Sequence, residues 1–258
     1  MTDSLSFLGQ LSREDKLLAG RVLDSVEASG EKYINKYTFF LDEHQKALCQ
    51  KVLASVCCDN YMFYGGYEGA QRTVLGIFEP YSEPVPDAFP LKAVCFSFRK
   101  EDNLTHRDFL GCIMSLGVER DTVGDILVSE GSAVVFVYDT VYSDVSALER
   151  IGRVGVKTGG DLSSFSFPEQ KYISAEGTVA SMRIDSVLAV ALRLSREKSA
   201  ALIRSGAVQL NYVVLTGTDA GVSEGDIISA KGYGKFIVRS VGSATKKGRI
   251  HITVDKYI

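Results

Sequence analysis

The period of the apolar positions changes several times along this chain, and each change predicts an element. Leu48, Cys49, Val52, Leu53 and Val56 share one face of a helix starting near Asp42, and Arg13–Glu27 carries a second amphipathic pattern. Tyr61–Tyr67 and Arg72–Phe78 then predict two strands around Glu68-Gly69. Further on, Leu91–Phe98 predicts a strand, Thr105–Leu116 a helix ended by Gly117, and Asp125–Ser129 and Ala133–Tyr138 two strands turning at Gly131. Val141–Ile151 predicts a helix and Arg153–Lys157 a last strand.

The final third changes period again. Ile184, Val187, Leu188, Ala191 and Leu192 form a helical stripe; Ser195 sits at the N-cap of a second helix, Arg196–Arg204, and Gly206 stands where a glycine C-cap belongs. Val208 and Leu210 alternate into the turn signal Asn211-Tyr212. Gly225-Asp226 precedes the strand Ile227–Lys231, and Gly232-Tyr233-Gly234 bends into Lys235–Val241. Ile250, Ile252 and Val254 close the sheet.

Breakers divide these elements. Pro80, Pro84, Pro86 and Pro90 crowd into one short stretch that cannot continue a helix or a central strand. Thr158–Pro168 is rich in Gly, Ser and Asp. The expected class is α+β in three parts: a helical and hairpin domain over 1–79, a βαββαβ (ferredoxin-like) domain over 88–160, and a small α+β domain over 170–258. RNA-recognition motifs share the βαββαβ order, but their third-strand signature is absent from Ala133–Tyr138. Phe96, Phe98, Phe136 and Tyr138 either pack a core or, on an open sheet face, form a platform for stacking bases.

Composition narrows the function. No apolar run approaches the ~18 residues of a membrane span, and MTDSLSFLGQ lacks the layout of a signal peptide. The expected location is the cytoplasm. Cys49, Cys57, Cys58, Cys95 and Cys112 include no C-x-x-C pair, and His44, His106 and His251 are scattered, so free thiols are expected and no metal site. The net charge of −3 hides an asymmetry: residues 182–258 hold 12 Lys/Arg against 6 Asp/Glu, while residues 1–181 hold 17 against 26. A basic end on an acidic body points to a polyanionic partner.

The C-terminal residues spell R-I-D-x-x-L, then S-R-x-x-A-x-x-L-I-x-x-G-x-V-x-L-N, then S-x-G-D-x-I-S-x-x-G-x-G-K-F. Over the core 182–241 this pattern resembles the S-four RNA-binding domain, whose two helices and small sheet form the αL layout. The resemblance implies RNA contact by Arg183, Arg196, Lys198 and Arg204, with Asn211, Lys231 and Lys235 on the adjoining strands. Asp185 and Asp226 are expected to hold local structure. Arg183 and Arg196 lie outside the apolar stripe, so replacing both with Glu is expected to weaken RNA binding while moving stability much less, since exposed substitutions usually stay within ~0.5 kcal/mol.

Phe63–Arg72, Thr105–Gly111, Gly124–Val128 and Arg153-Val154-Gly155 resemble the YlmH family of bacterial proteins. Gln71 departs from the acidic residue expected there, which puts one local ion pair in doubt. The likeness implies a non-catalytic RNA-binding protein acting on the ribosome. Its setting would be the large subunit with a stalled peptidyl-tRNA, in ribosome-associated quality control by alanine tailing. The implied partners are large-subunit rRNA, tRNA and that subunit, with no cofactor, membrane or small-molecule substrate. His106-Arg107-Asp108 lacks the other parts of a kinase loop and is expected to open a helix from Thr105; no other catalytic signature is found. Two readings stay open beside this one: an interaction protein associated with cell division and septum formation, and an unrecognised RNA-modification factor.

Overall fold

A computed structural model describes residues 12–167, 172–244 and 248–258. Residues 1–10, read above for a leader, and Pro168, the end of the second boundary, lie outside them. The architecture is α+β, and the chain divides into two compact units, Met1–Pro168 and Glu169–Ile258. No helix among the described residues is long and apolar enough to cross a membrane.

In the first unit, α1 (Arg13–Lys32) and α2 (Glu43–Ser55) pack on a sheet of β1 (Lys36–Tyr37), β2 (Tyr61–Tyr64) and β3 (Val74–Ile77), with β3 central. Both helices start where side chains satisfy orphan amides. Ser12 Oγ accepts from the Asp15 N–H at 3.0 Å. Asp42 and Gln45 form a reciprocal capping box, at 2.8 and 2.9 Å. Ala19, Val22, Leu48, Val52, Leu53 and Leu75 make the core between helices and sheet. Cys49 lies in it, and burial pushes its thiol up to about 12.

A second sheet is built from β4 (Leu91–Ser97), β5 (Val123–Ser129), β6 (Ser132–Tyr138) and the two-residue β9 (Lys157–Thr158), in the order β5-β6-β4-β9 with antiparallel neighbours. Helix α3 (His106–Met114) connects β4 to β5. Every residue of β6 from Ala133 to Tyr138 is buried, so both faces of this sheet are covered. Ala133, Val135 and Val137 pack with Phe96, Phe109 and Ile113 on the α3 side. Val134, Phe136 and Tyr138 pack with Phe89 and with Phe40, Val74 and Phe78 from the preceding segment. The segments expected as separate domains over 1–79 and 88–160 therefore share a core and form one unit. Proline breaks the secondary structure between them without separating what packs.

The expected helix over 141–151 is mostly not helical. Only α4 (Tyr142–Ser146) forms, and the chain then folds into a tight hairpin of β7 (Arg150–Ile151) and β8 (Val154–Gly155). Gly152 at φ +60 makes that turn, and fully buried Ile151 anchors it.

The second unit is a six-stranded antiparallel sheet. It comprises β10 (Tyr172–Val179), β11 (Val208–Leu210), β12 (Val213–Leu215), β13 (Ile227–Ala230), β14 (Gly234–Ala244) and β15 (Ile250–Tyr257), ordered β10-β15-β14-β13-β11-β12. Helices α5 (Ile184–Leu192) and α6 (Arg196–Arg204) cover one face. Ile184, Val187, Leu188 and Ile203 meet Ile228, Phe236, Val238, Ile252 and Val254 there. Strand β10, which the hydrophobic pattern did not predict, pairs with β15 through all eight residues. Its inward positions are Ala175, Gly177 and Val179, too small to raise an alternating hydrophobic signal; Gly177 gives way to Val190, whose Cγ1 would lie 2.8 Å from an added Cβ.

Candidate nucleic-acid interface

Four of the seven candidate residues stand on the helical side of the second unit. Arg183 precedes α5, and an isolated bridge to Gly221 fixes the backbone at the start of that helix. Arg196, Lys198 and Arg204 lie on α6, all exposed. Ser195 Oγ accepts from the Lys198 N–H at 3.3 Å, as its N-cap position predicted.

Arg183 and Arg196 converge on one carboxylate. Asp185 is 4% exposed, accepts from Arg196 Nε at 2.9 Å and from Arg183 Nε at 3.3 Å, and Arg183 Nη2 also donates to the Thr218 carbonyl at 3.3 Å. Burial pushes the Asp185 carboxyl up, but the Arg196 and Arg183 hydrogen bonds and charges outweigh it, leaving the group below the usual carboxylate range. The expectation that replacing both arginines moves stability little is thereby corrected. They are the counter-charges of a buried acid, a partnership between side chains that a hydrophobic stripe cannot register. The same clamp orients the two guanidiniums, and Arg196 keeps donors beyond Nε to present outward.

The remaining candidates are placed differently. Asn211, at φ +47, donates from Nδ2 to Asp226 at 2.8 Å and accepts from the Ile227 N–H at 2.9 Å. Its amide is committed to closing the turn after β11, and Asp226 holds local structure as expected. Lys231 is exposed where β13 turns into β14. Lys235 points to the sheet face opposite the helices, with Nζ 5.1 Å from the centre of the Tyr257 ring and 5.5 Å from that of Tyr212. The seven residues do not form one surface.

In the first unit the sequence motifs build structure. Asp125 accepts from the Tyr67 hydroxyl at 2.9 Å and from the Gln71 and Arg72 amides at 2.7 and 3.1 Å. Arg72 donates to the Val123 and Phe40 carbonyls. Tyr67 stacks against both Phe136 and Phe167, each centroid 5.0 Å away, and those two rings lie 6.4 Å from each other. Gly66 sits at φ +100, and a Cβ there would lie 2.1 Å from Phe136 Cδ1. Gln71 contributes its backbone amide, which any residue but proline supplies, so its departure from an acidic residue leaves this clasp intact. Asp108 accepts from both the amide and the hydroxyl of Thr105, so His106-Arg107-Asp108 opens α3 as expected. With Phe96, Phe136 and Tyr138 all buried, the stacking platform proposed for this sheet is excluded and core packing is what these rings do.

Comparison with known proteins decides the family. The chain is 30% identical over 249 residues, 95% of its length and 96% of the other protein, to "Ribosome-associated protein quality control protein P2" of Bacillus subtilis (strain 168). Residues 86–161 match the family model described as "Putative RNA-binding domain in YlmH". The chain belongs to the YlmH family of RNA-binding proteins. Among solved structures, this YlmH-family chain is similar to "Cell division protein ylmH from Streptococcus pneumoniae", with a TM-score of 0.48 and 21% identity, over 61% of this chain and 98% of that one.

Proposed function

We propose that this protein is a non-catalytic, cytoplasmic RNA-binding factor of ribosome-associated quality control. Its substrate is the large ribosomal subunit with a stalled peptidyl-tRNA, and it contacts large-subunit rRNA and tRNA while C-terminal alanine tails are added. The observation that carries this reading is the end-to-end similarity to a protein named for ribosome-associated quality control. The second unit supports it physically. A-form RNA closes its deep major groove to side chains and presents phosphates and 2′-hydroxyls, so a binder needs cations on a rigid scaffold. Arg183 and Arg196 pinned on Asp185, with Lys198 and Arg204 exposed on the same helical side, meet that need. We read this unit as an S-four-type module, and the β5-β6-β4-β9 sheet as a ferredoxin-like domain whose contacts to RNA run through its edges and loops.

Cosedimentation with purified large subunits carrying peptidyl-tRNA tests the reading. Lys198→Glu/Arg204→Glu is the informative variant, because neither residue supports the buried acid. Wild type is expected in the subunit fraction and the variant at the top of the gradient, with binding falling steeply with salt. A folded variant that still cosediments at moderate salt would remove the helical side from the interface.

A further inference from the structure

The outer face of the second unit's sheet carries a row of rings and cations that the helical interface does not use. Register sets which residues share it: Tyr172 opposes Tyr257, Ser174 opposes Asp255, Ile237 opposes Asp255 from the other side, and Ser229 opposes Lys235. The core residues Val238, Ile252 and Val254 point the other way, toward α5 and α6. Tyr172 and Tyr257 meet edge to face at 5.2 Å between centroids. The Arg239 guanidinium lies 4.8 Å over Tyr172, and Lys235 Nζ 5.1 Å over Tyr257. Buried Asp255 fixes this arrangement, accepting from Arg239 Nε at 2.7 Å and from Ser174 Oγ at 2.6 Å. The Ser174 hydrogen bond leads the causes that hold its carboxyl below the usual range, with Arg239 adding to it against burial. Tyr172 remains 38% exposed.

We propose that this outer face is a second RNA contact, on which unpaired bases stack against Tyr172, Tyr257 and the Arg239 plane while Lys235 meets a flanking phosphate. The proposal rests on reading this unit as RNA-binding and adds single-stranded RNA to the duplex-like RNA met by the helices. Stacking on aromatic rings and guanidinium planes is how proteins hold unpaired bases without reading sequence. The charge argues for a nucleic acid: 12 Lys/Arg stand against 6 Asp/Glu from residue 182 onward. Burial lowers the Lys235 ammonium below the ordinary lysine range. A protein partner would want a wider apolar patch than this face provides, where Ile227 and Ile237 are half-buried and exposed Val214 stands on the edge strand β12.

The test measures binding of the full-length protein to a labelled oligouridine of about ten nucleotides and, separately, to an RNA duplex. Tyr172→Ala and Tyr257→Ala are each expected to weaken the oligouridine about 5- to 150-fold and leave the duplex unchanged. Tyr172→Phe and Tyr257→Phe should restore binding, since a phenyl ring still stacks. Folded alanine variants that bind oligouridine like wild type would overturn the platform and leave the face to a protein partner, while retained duplex binding would keep the RNA-binding reading intact. A wild type that binds neither probe sinks both. Should the alanine variants not fold, crosslinking of 4-thiouridine oligomers to wild type decides: adducts on Tyr172 or Tyr257 are expected, and adducts confined to residues 183–204 contradict the platform.

Discussion

Replacing both Arg183 and Arg196 with Gln strips the counter-charges from Asp185, and its cost can be worked out from the geometry. A hydrogen bond to a charged group contributes about 1.5–3 kcal/mol. The Arg183 and Arg196 side chains are 39% and 58% exposed, so solvent screening reduces each contribution to about 1–1.5 kcal/mol. Losing both costs about 2–3 kcal/mol. Protonation sets a ceiling: neutralising a carboxyl with an ordinary value near 4 costs about 4 kcal/mol at pH 7, and the fold would accept that before worse. For a unit of this size, 1 kcal/mol moves Tm by about 4–8 °C, so the double variant should melt at least ~8 °C lower in the transition of residues 169–258. Adding Asp185→Asn to it should recover most of the loss, because the amide needs no counter-charge, and this coupling is the signature of the clamp. Differential scanning calorimetry of the full chain reads it. A double variant that melts with wild type, or an Asp185→Asn addition that recovers nothing, would refute the argument.

Three further outcomes follow from the same structure. Residues 169–258 expressed alone should unfold cooperatively, whereas residues 88–160 alone should not, since Val134, Phe136 and Tyr138 would lose the cover supplied by Phe40, Val74 and Phe78; a cooperative transition for the latter fragment would contradict the shared core. Gly66→Ala should cost about 2–4 kcal/mol through overpacking and a positive φ, while Gly69→Ala, at φ +86 with open space around it, should cost about 1 kcal/mol; equal melting shifts in the two variants would show that Phe136 yields. Because Asp185 and Asp255 are both held below the usual carboxylate range, the stability they contribute is complete above about pH 4 and is lost as pH falls through their folded values. Asp185→Asn should flatten that acid loss in equilibrium denaturation, and an unchanged slope would count against it.

How far the sequence reached depends on what kind of interaction was at stake. Elements held by a strong period and a local cap were legible: the α5 stripe from Ile184, the Ser195 cap and the start of α2 at Asp42 appear where the pattern put them. Strand β10 was not, because its inward Ala175 and Gly177 fit tightly under α5 instead of burying large side chains. The helix expected over 141–151 stops at Ser146, because the hairpin turning at Gly152 buries Ile151 and overrides helical spacing. Long-range partnerships were the least visible. Nothing local in Arg183 or Arg196 announces Asp185 as their shared partner, and nothing in the proline cluster says that the strands on either side share a core. The cations of the helical side were legible through their motif. The outer-face rings were not, because Tyr172 and Tyr257 lie at opposite ends of the unit's sequence and meet only through the β10–β15 pairing.

The proposal that this chain holds ribosomal RNA and tRNA is decided by crosslinking in growing cells, followed by sequencing of the RNA bound to the full-length protein. Reads should concentrate on large-subunit rRNA and on tRNA and collapse in Lys198→Glu/Arg204→Glu at equal protein abundance. Recovery of the protein with division components and without enrichment of either RNA would contradict it.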